Sequence, residues 1–115
     1  MITEDIYQLA LACGGCTYDL RRKCAVSEGY AVSPYEFATK RQALTELNLQ
    51  SYISEHYVRL VKDDHMLGLW FDTEHQEWYY DVSRVMKSKS GAHRIAVQAN
   101  QLAYFDLKNK TEVRL

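Results

Sequence analysis

The chain has 115 residues, of which 47% are hydrophobic and 25% are charged. This length and balance are those of one globular domain and exclude a disordered chain, so we predict a single domain over residues 1–115. Fourteen basic residues face fifteen acidic ones, and the formal charge of −1 excludes the general basic surface that nucleic-acid binding uses.

The first third of the chain predicts one helix and then short strands. The helix begins near Thr3, because Glu4 and Asp5 suit the positive end of a helix dipole. Gly14 and Gly15 end it, since glycine accepts the left-handed conformation that often follows a helix. Strand candidates follow at residues 16–20, 29–33 and 36–44.

The middle of the chain predicts an amphipathic helix. Asn48 is a favourable N-cap, and the helix extends from it to about residue 61. Its apolar face, which repeats at helical spacing, consists of Leu49, Ile53, Tyr57 and Leu60. We expect this face to pack on the sheet.

The remaining chain predicts a hairpin, a last helix and a strand pair. Apolar and aromatic residues at 66–71 and 77–85 flank a polar turn, and Ser88 or Ser90 begins the helix. Residues 103–107 predict a strand, with which residues 112–115 pair after a turn. We therefore predict an α+β fold, with a mainly antiparallel sheet of about four to six strands and two or three packed helices.

The chain shows no sign of export or membrane insertion. Its start has no basic segment followed by an apolar run, and no stretch approaches the roughly 18 apolar residues of a membrane helix. The three cysteines are odd in number, which favours a reducing compartment. We expect a cytoplasmic protein that contacts no membrane and needs no cofactor.

Five short blocks follow one another along the chain. They are Gly14-Gly15-x-Thr17-Tyr18-Asp19, residues 29–35, Leu67-Gly68-x-Trp70, Tyr80-Asp81-Val82-Ser83, and residues 100–107. Their series resembles that of a family of small, mostly uncharacterised proteins encoded by bacteriophages and prophages. The resemblance spans nearly the whole chain. It implies an origin in a mobile element and a location in the cytoplasm of an infected bacterium, but it brings no established activity or catalytic residues.

The chain departs from the family pattern at three places. A second glycine often stands where this chain has Leu69, and glycine often occurs in the turn before Tyr79, where this chain has Glu74-His75-Gln76. The cysteines do not belong to the pattern. This last departure argues against a role for them that the whole family shares.

The cysteines offer part of a zinc site. Cys13 and Cys16 have the spacing of two ligands, Cys24 is a third, and a histidine would supply the fourth. The simpler interpretation places Cys13 in the core and treats the others as small filler residues. Because no second ligand pair at suitable spacing occurs, we predict no metal site and keep the zinc set as the alternative.

The second strand of the hairpin has a polar face. Asp81 and Ser83 lie two residues apart and therefore point to the same side as Tyr79, while Trp78, Tyr80 and Val82 point to the other. The polar side is either the solvated face of an ordinary strand or a ligand face. As a ligand face it would be completed by Asn100, Gln101 and Asp106. Alternatively, Asn100 caps the last helix and Asp106 fixes a turn.

The last helix begins among basic residues. His93 and Arg94 lie there with Lys87 and Lys89, and form the best candidate for a phosphate contact, as a ribonuclease would need. The alternative is a solvated helix start.

The hairpin contains four large aromatic residues that one core cannot bury together, namely Trp70, Trp78, Tyr79 and Tyr80. They predict a partner-binding surface or a contact between copies of the chain.

Three functions from different classes follow. The favoured one is a non-catalytic phage accessory protein that binds a host bacterial protein and inhibits it, for example to block a defence system. It is based on the resemblance, the small size and the absence of a catalytic motif. The alternatives are a small nuclease or nucleotide-binding protein that uses the polar face, and a self-assembling phage component.

Overall fold

The computed structural model describes residues 2–115 and shows an α+β fold. The helices are α1 (Ile2–Cys13), α2 (Glu46–Leu60) and α3 (Lys89–Gln98), and a 3₁₀ turn spans Glu36–Ala38. The strands are β1 (Gly15–Asp19), β2 (Cys24–Ala25), β3 (Tyr30–Val32), β4 (Lys40–Gln42), β5 (His65–Asp72), β6 (Glu77–Met86), β7 (Ala103–Asp106) and β8 (Thr111–Arg114). No helix among these residues is both long enough and apolar enough to cross a membrane.

All strands join one antiparallel sheet of eight strands, which confirms the predicted class but is larger than we expected. The order is β2-β1-β5-β6-β3-β7-β8, and β4 also pairs with β6. Strand β6 is the centre: one edge pairs with β5 at residues 77–84, and the other pairs with β4 at residues 78–80 and with β3 at residues 84–86. Residues 81–83 therefore have no strand partner on that edge among the described residues.

The three helices cover one side of the sheet. Helices α1 and α2 pack on alternate residues of β1, β5 and β6, and the largest buried members of this core are Ile6, Leu49, Tyr52, Leu60, Leu67, Leu69, Tyr80 and Val82. Helix α3 packs on the other end of the same side, where a second core consists of Val32, Ala92, Ala96 and Tyr104. Within the described part of the chain, no helix packs on the other side of the sheet.

The segment predicted as a strand at residues 36–44 is mostly not one. The backbone N–H of Thr39 donates to the carbonyl oxygen of Glu36 and closes a 3₁₀ turn, and only Lys40–Gln42 pair with β6. The turn directs Ala38 into the core, where its carbonyl oxygen accepts a hydrogen bond from the Tyr52 hydroxyl. That inward step is incompatible with a continuous strand.

Helix α2 differs in its cap and in one face residue. Thr45, not Asn48, is the N-cap, since the Thr45 hydroxyl accepts from the backbone N–H of Asn48. Leu49 and Leu60 are buried as predicted, but Tyr57 is 54% exposed. The backbone leaves helical geometry at His56, with φ −108° and ψ 15°, and this kink interrupts the regular spacing on which the prediction relied.

The C-terminal half otherwise follows the sequence pattern. The hairpin of β5 and β6 is present, Ser88 caps α3 through a bond from the Gly91 N–H, and β7 pairs with β8. Helix α3 ends at Gln98, so Leu102 does not continue its buried face and is 76% exposed.

Candidate functional site

The helix-free side of the sheet is concave. The Trp70 ring on β5 and the Phe105 ring on β7 lie 5.2 Å apart between centroids, although β6 and β3 separate their strands. Three strand spacings amount to roughly 14 Å on a flat sheet. The contact therefore requires the sheet to curl and the two side chains to lean toward each other.

A cavity of about 650 Å³ lies in this concave side. Its lining comes from the curled strands, from the segment between β3 and β4, and from the loop between α3 and β7. The volume falls within the roughly 300–1,000 Å³ that small-molecule sites have. The concave side is therefore large enough for an organic ligand.

Asp81 forms part of the cavity floor and is only 8% exposed. The Ser83 hydroxyl donates to its Oδ1 at 2.6 Å, as expected for two residues on the same face of a strand. No other side-chain or backbone hydrogen bond among residues 2–115 reaches the carboxyl group. Its Oδ2 atom is therefore an acceptor without a partner in the folded chain.

Gly68 makes room for this carboxyl group. It lies opposite Asp81 in the pairing of β5 with β6, and a Cβ atom at Gly68 would overlap Oδ1 of Asp81. Such a contact is impossible without moving the aspartate. The absence of a side chain at Gly68 therefore leaves the space that the Asp81 carboxyl group occupies.

Burial raises the pKa of Asp81 to about 6, and the Ser83 hydrogen bond opposes this rise. The carboxyl group is consequently ionised at neutral pH, but in a place where its charge is poorly solvated. Ionised side chains with so little exposure normally have a cationic partner. Asp81 has none among residues 2–115, which is typical of a binding or catalytic group rather than of a structural one.

Two buried hydroxyl groups near the floor also lack partners. The Ser33 Oγ atom belongs to a residue that lines the cavity. Thr17 on β1 pairs with Gly68 on β5, which in turn pairs with Asp81 on β6. The Oγ1 atom of Thr17 also has no hydrogen bond among the described residues. Buried hydroxyl groups usually have a hydrogen-bond partner, so these two are further signs that a ligand or water completes the hydrogen bonding on the concave side.

Aromatic rings form the walls. The lining includes Trp70, Tyr79 and Phe105. The Trp70 ring lies over Gly15, where a Cβ atom would stand 2.8 Å from its Cε3 atom. The Tyr79 ring receives the Arg41 guanidinium at 4.7 Å from its centroid. The walls therefore offer apolar area and electron-rich ring faces.

The rim of the cavity is polar. Asn100, with a left-handed backbone at φ 56°, and Gln101 lie in the loop that follows α3. Glu112 and Arg114 on β8 form an ion pair at 3.0 Å, and Glu36 lies at the 3₁₀ turn. Among the described residues, the cavity lining therefore has more carboxyl groups than guanidinium groups, of which Arg114 supplies one.

The structure brings together four of the five residues predicted as a ligand face, namely Asp81, Ser83, Asn100 and Gln101. Asp106 does not line the cavity. Its carboxylate accepts from the backbone N–H and the Nδ2 of Asn109. This is the turn-fixing role that was the alternative for Asp106.

The aromatic residues of the hairpin are divided between the two sides of the sheet. Tyr80 is fully buried, and its hydroxyl donates to the carbonyl oxygen of Ala43 at 2.9 Å, so it cannot contact a partner in this structure. Trp78 packs half-buried against the larger core. Trp70 and Tyr79 face the cavity. The four residues therefore do not form one surface.

The basic residues of α3 lie away from the cavity. His93 and Arg94 are exposed and do not line it. The His93 ring contacts Tyr104 edge-on at 6.4 Å, on the helix-covered side. A phosphate contact there would therefore be separate from Asp81.

The cysteines do not converge. Cys13 and Cys24 are exposed and Cys16 is buried, where burial raises the pKa of its thiol to about 12 and so disfavours the thiolate that zinc needs. Among residues 2–115, the one group whose ligand atoms approach closely enough for a metal is Asp72, Glu74 and His75, at the exposed hairpin turn. It contains no cysteine.

Sequence reasoning missed Phe105, Ser33 and the acidic rim. The period of two that places Asp81 and Ser83 together also places Gly68 and Trp70 on one face of β5. Only the strand order and the curl of the sheet, which no local pattern specifies, bring β7 and β8 to the same cavity.

Comparison of the chain with protein-family models, with curated proteins and with solved structures finds no match. The functional interpretation therefore depends on the geometry of the concave side.

Proposed function

We propose that this protein is a non-catalytic binding protein that captures a small organic molecule in the cavity of its concave sheet. The observation that supports this most directly is Asp81, a buried ionisable group with a free acceptor atom at the floor of a ligand-sized cavity. A carboxylate with so little exposure and no cationic partner among residues 2–115 lowers the stability of the fold, and a ligand that donates to it would offset that cost.

Binding is favoured over catalysis by the position of the histidines. No histidine lines the cavity among the described residues. His65 is hydrogen-bonded to the Tyr35 hydroxyl at 2.7 Å, and His75 to the Asp72 carboxylate at 2.7 Å, each on a different part of the molecule. A ribonuclease that works by paired acid and base groups needs them at one site.

The biological setting remains the one that the resemblance implies. In this proposal the protein is a bacteriophage accessory protein in the cytoplasm of an infected bacterium. Removing a small molecule from solution would be a stoichiometric way to interfere with the host, as inhibition of a host protein would be.

The two tryptophans provide a test of ligand capture. Trp70 faces the cavity and Trp78 packs on the opposite side, so their indole N–H resonances report on the two sides separately. We expect some members of a library of small polar organic molecules to shift the Trp70 resonance and leave the Trp78 resonance in place. A library that shifts neither, or both equally, would contradict the proposal.

A second candidate, binding of a host protein, is favoured by one exposed cluster. Phe37 is 71% exposed, the Arg59 guanidinium lies 4.9 Å from its ring centroid, and Tyr35 stands 6.0 Å away. Aromatic residues and arginine are enriched at protein interfaces.

This candidate has its own test. Tagged protein should retain a host protein from bacterial lysate, and Phe37→Ala should release it while Leu47→Ala, at a residue 73% exposed, should not. Loss with both variants, or with neither, would speak against this cluster. The mass in solution over a range of concentrations tests whether the partner is instead a second copy of the chain.

A further inference from the structure

The charge of the cavity restricts what it can hold. Among residues 2–115, its acidic and basic lining consists of the carboxyl groups of Glu36, Asp81 and Glu112 and the guanidinium of Arg114. That guanidinium is already paired with Glu112 at 3.0 Å. A further cation, Arg41, contacts the Tyr79 ring and forms an ion pair with Glu77 at 3.8 Å. An anion entering the cavity would meet an excess of negative charge.

The free acceptor at the floor needs a donor. Oδ2 of Asp81 has no hydrogen bond in the folded chain, and Ser83 occupies Oδ1. A carboxylate accepts only, so the ligand must present N–H or O–H groups to it. A positively charged donor would also neutralise the buried charge, and such charge-assisted bonds are stronger than neutral ones.

The walls suit a cation with an organic body. Ring faces attract ammonium and guanidinium groups, most strongly where water is excluded. The protein already shows this contact on the concave side, where the guanidinium of Arg41 covers the Tyr79 ring. Trp70 and Phe105 add apolar area for the rest of the ligand.

We propose that the ligand of this cavity is an organic cation, with an ammonium, amidinium or guanidinium group that binds Asp81 and an apolar body that lies against Trp70 and Phe105. This inference deepens the proposed function and depends on it. It also argues against the phosphorylated ligands that a nucleotide-binding protein would take.

The test compares three molecules of one shape. Benzamidine, benzamide and benzoate share a ring and differ in charge from positive to neutral to negative. We expect benzamidine to bind at least about tenfold more tightly than benzamide by calorimetry or by titration of the Trp70 resonance, and benzoate to bind least. This comparison uses the unmodified protein, so it does not depend on a variant that folds.

A matched pair of variants then locates the cation. Asp81→Asn should reduce the affinity for benzamidine to that for benzamide, because the amide cannot neutralise the charge. Asp106→Asn is the same substitution on β7, at a residue that does not line the cavity, and should leave the affinity unchanged. Equal loss in both variants, or none in Asp81→Asn, would overturn the assignment.

The outcomes separate this inference from the proposed function. If benzoate or adenosine monophosphate shifts Trp70 as strongly as benzamidine does, the cavity binds ligands but the preference for cations is wrong. If no compound of the wider library shifts the Trp70 resonance, the cavity is not a binding site and both proposals fail.

A guanidinium group could come from a free metabolite or from an arginine of another protein. Tighter binding of agmatine than of a capped Gly-Gly-Arg-Gly-Gly peptide assigns the first source, and the reverse assigns the second.

Discussion

The two sides of the sheet are made by alternate residues of the same strands, yet they differ in how completely they are satisfied. On the helix-covered side, Tyr80 is fully buried and its hydroxyl is hydrogen-bonded. On the concave side, the next residue, Asp81, is also buried but has, among residues 2–115, a free acceptor and no counter-charge. One side is optimised for stability, and the other retains groups that lower it. Under the proposed function, this difference is the usual exchange of stability for a binding site.

The largest effect should come from neighbouring tyrosines of β6. Tyr80→Ala removes a ring from the core and should lower the free energy of unfolding by about 4 kcal/mol. Tyr79→Ala removes a half-buried ring from the cavity wall and should cost about 1 kcal/mol. Urea unfolding of the two variants measures this. Equal losses would mean that the concave side supports the fold as much as the core does.

Asp81→Asn should stabilise the protein. Folding raises the pKa of Asp81 from 3.8 to about 6, so the folded state binds the proton more tightly than the unfolded state does. The contribution of Asp81 is therefore fully present below about pH 4 and is lost as the pH rises to about 6. At pH 7.5 the substitution should raise the free energy of unfolding by on the order of 2 kcal/mol.

The pH dependence provides the check on that prediction. Asp72 and Asp106 have lowered pKa values, because each accepts hydrogen bonds. They therefore contribute stability that is lost as the pH falls, and they do so equally in both proteins. The difference between the native protein and Asp81→Asn isolates the buried group. It should grow between about pH 4 and 6 and then remain constant. A difference that does not change with pH would show that burial does not raise the pKa of Asp81.

Gly68→Ala tests the space above the glycine. The added methyl group would collide with Oδ1 of Asp81, and we expect a loss of about 2 kcal/mol from overpacking. In an Asp81→Ala background the same change should cost less than about 1 kcal/mol, because the obstructing atoms are gone. If the two losses are equal in chemical denaturation, the glycine is required for its backbone and not for its neighbour.

The smallest effect concerns the unpartnered hydroxyl of Thr17. Thr17→Val has nearly the same shape and removes a buried polar atom without a hydrogen bond. We expect a gain of up to about 1 kcal/mol, in contrast to the loss that most buried substitutions cause. A clear loss on thermal unfolding would indicate that a bound water satisfies this hydroxyl.

Local sequence patterns predict much of the fold. The alternation along β6 correctly separates Tyr80 from Tyr79 and Asp81, and the glycines after α1 correctly end that helix. The strand predicted around Ala38 was wrong. A turn that places one apolar residue in the core has the same sequence pattern as an interrupted strand. The predicted N-cap, Asn48, was also wrong, because the exact start of a helix depends on the backbone conformation of single residues, and Thr45 caps α2.

The site was predictable only in part, and the reason is physical. Asp81 and Ser83 share a face by the period of a strand, so the sequence alone places them together. Phe105 and Glu112 reach them through the strand order and the curl of the sheet, which result from long-range pairing. The acidic balance of the cavity therefore becomes visible only in the folded chain.

The gap in the pairing of β6 has a consequence for access. Residues 81–83 have no strand partner on the edge where β4 stops and β3 begins, and the cavity extends along this gap past Ser33, Glu36 and Thr39. A molecule that arrives there can reach the carboxyl group of Asp81 without breaking a bond of the β5–β6 ladder. If the cavity binds the proposed ligand, capture and release would not require the sheet to unfold, and local motion of residues 33–39 would set the lifetime of the complex.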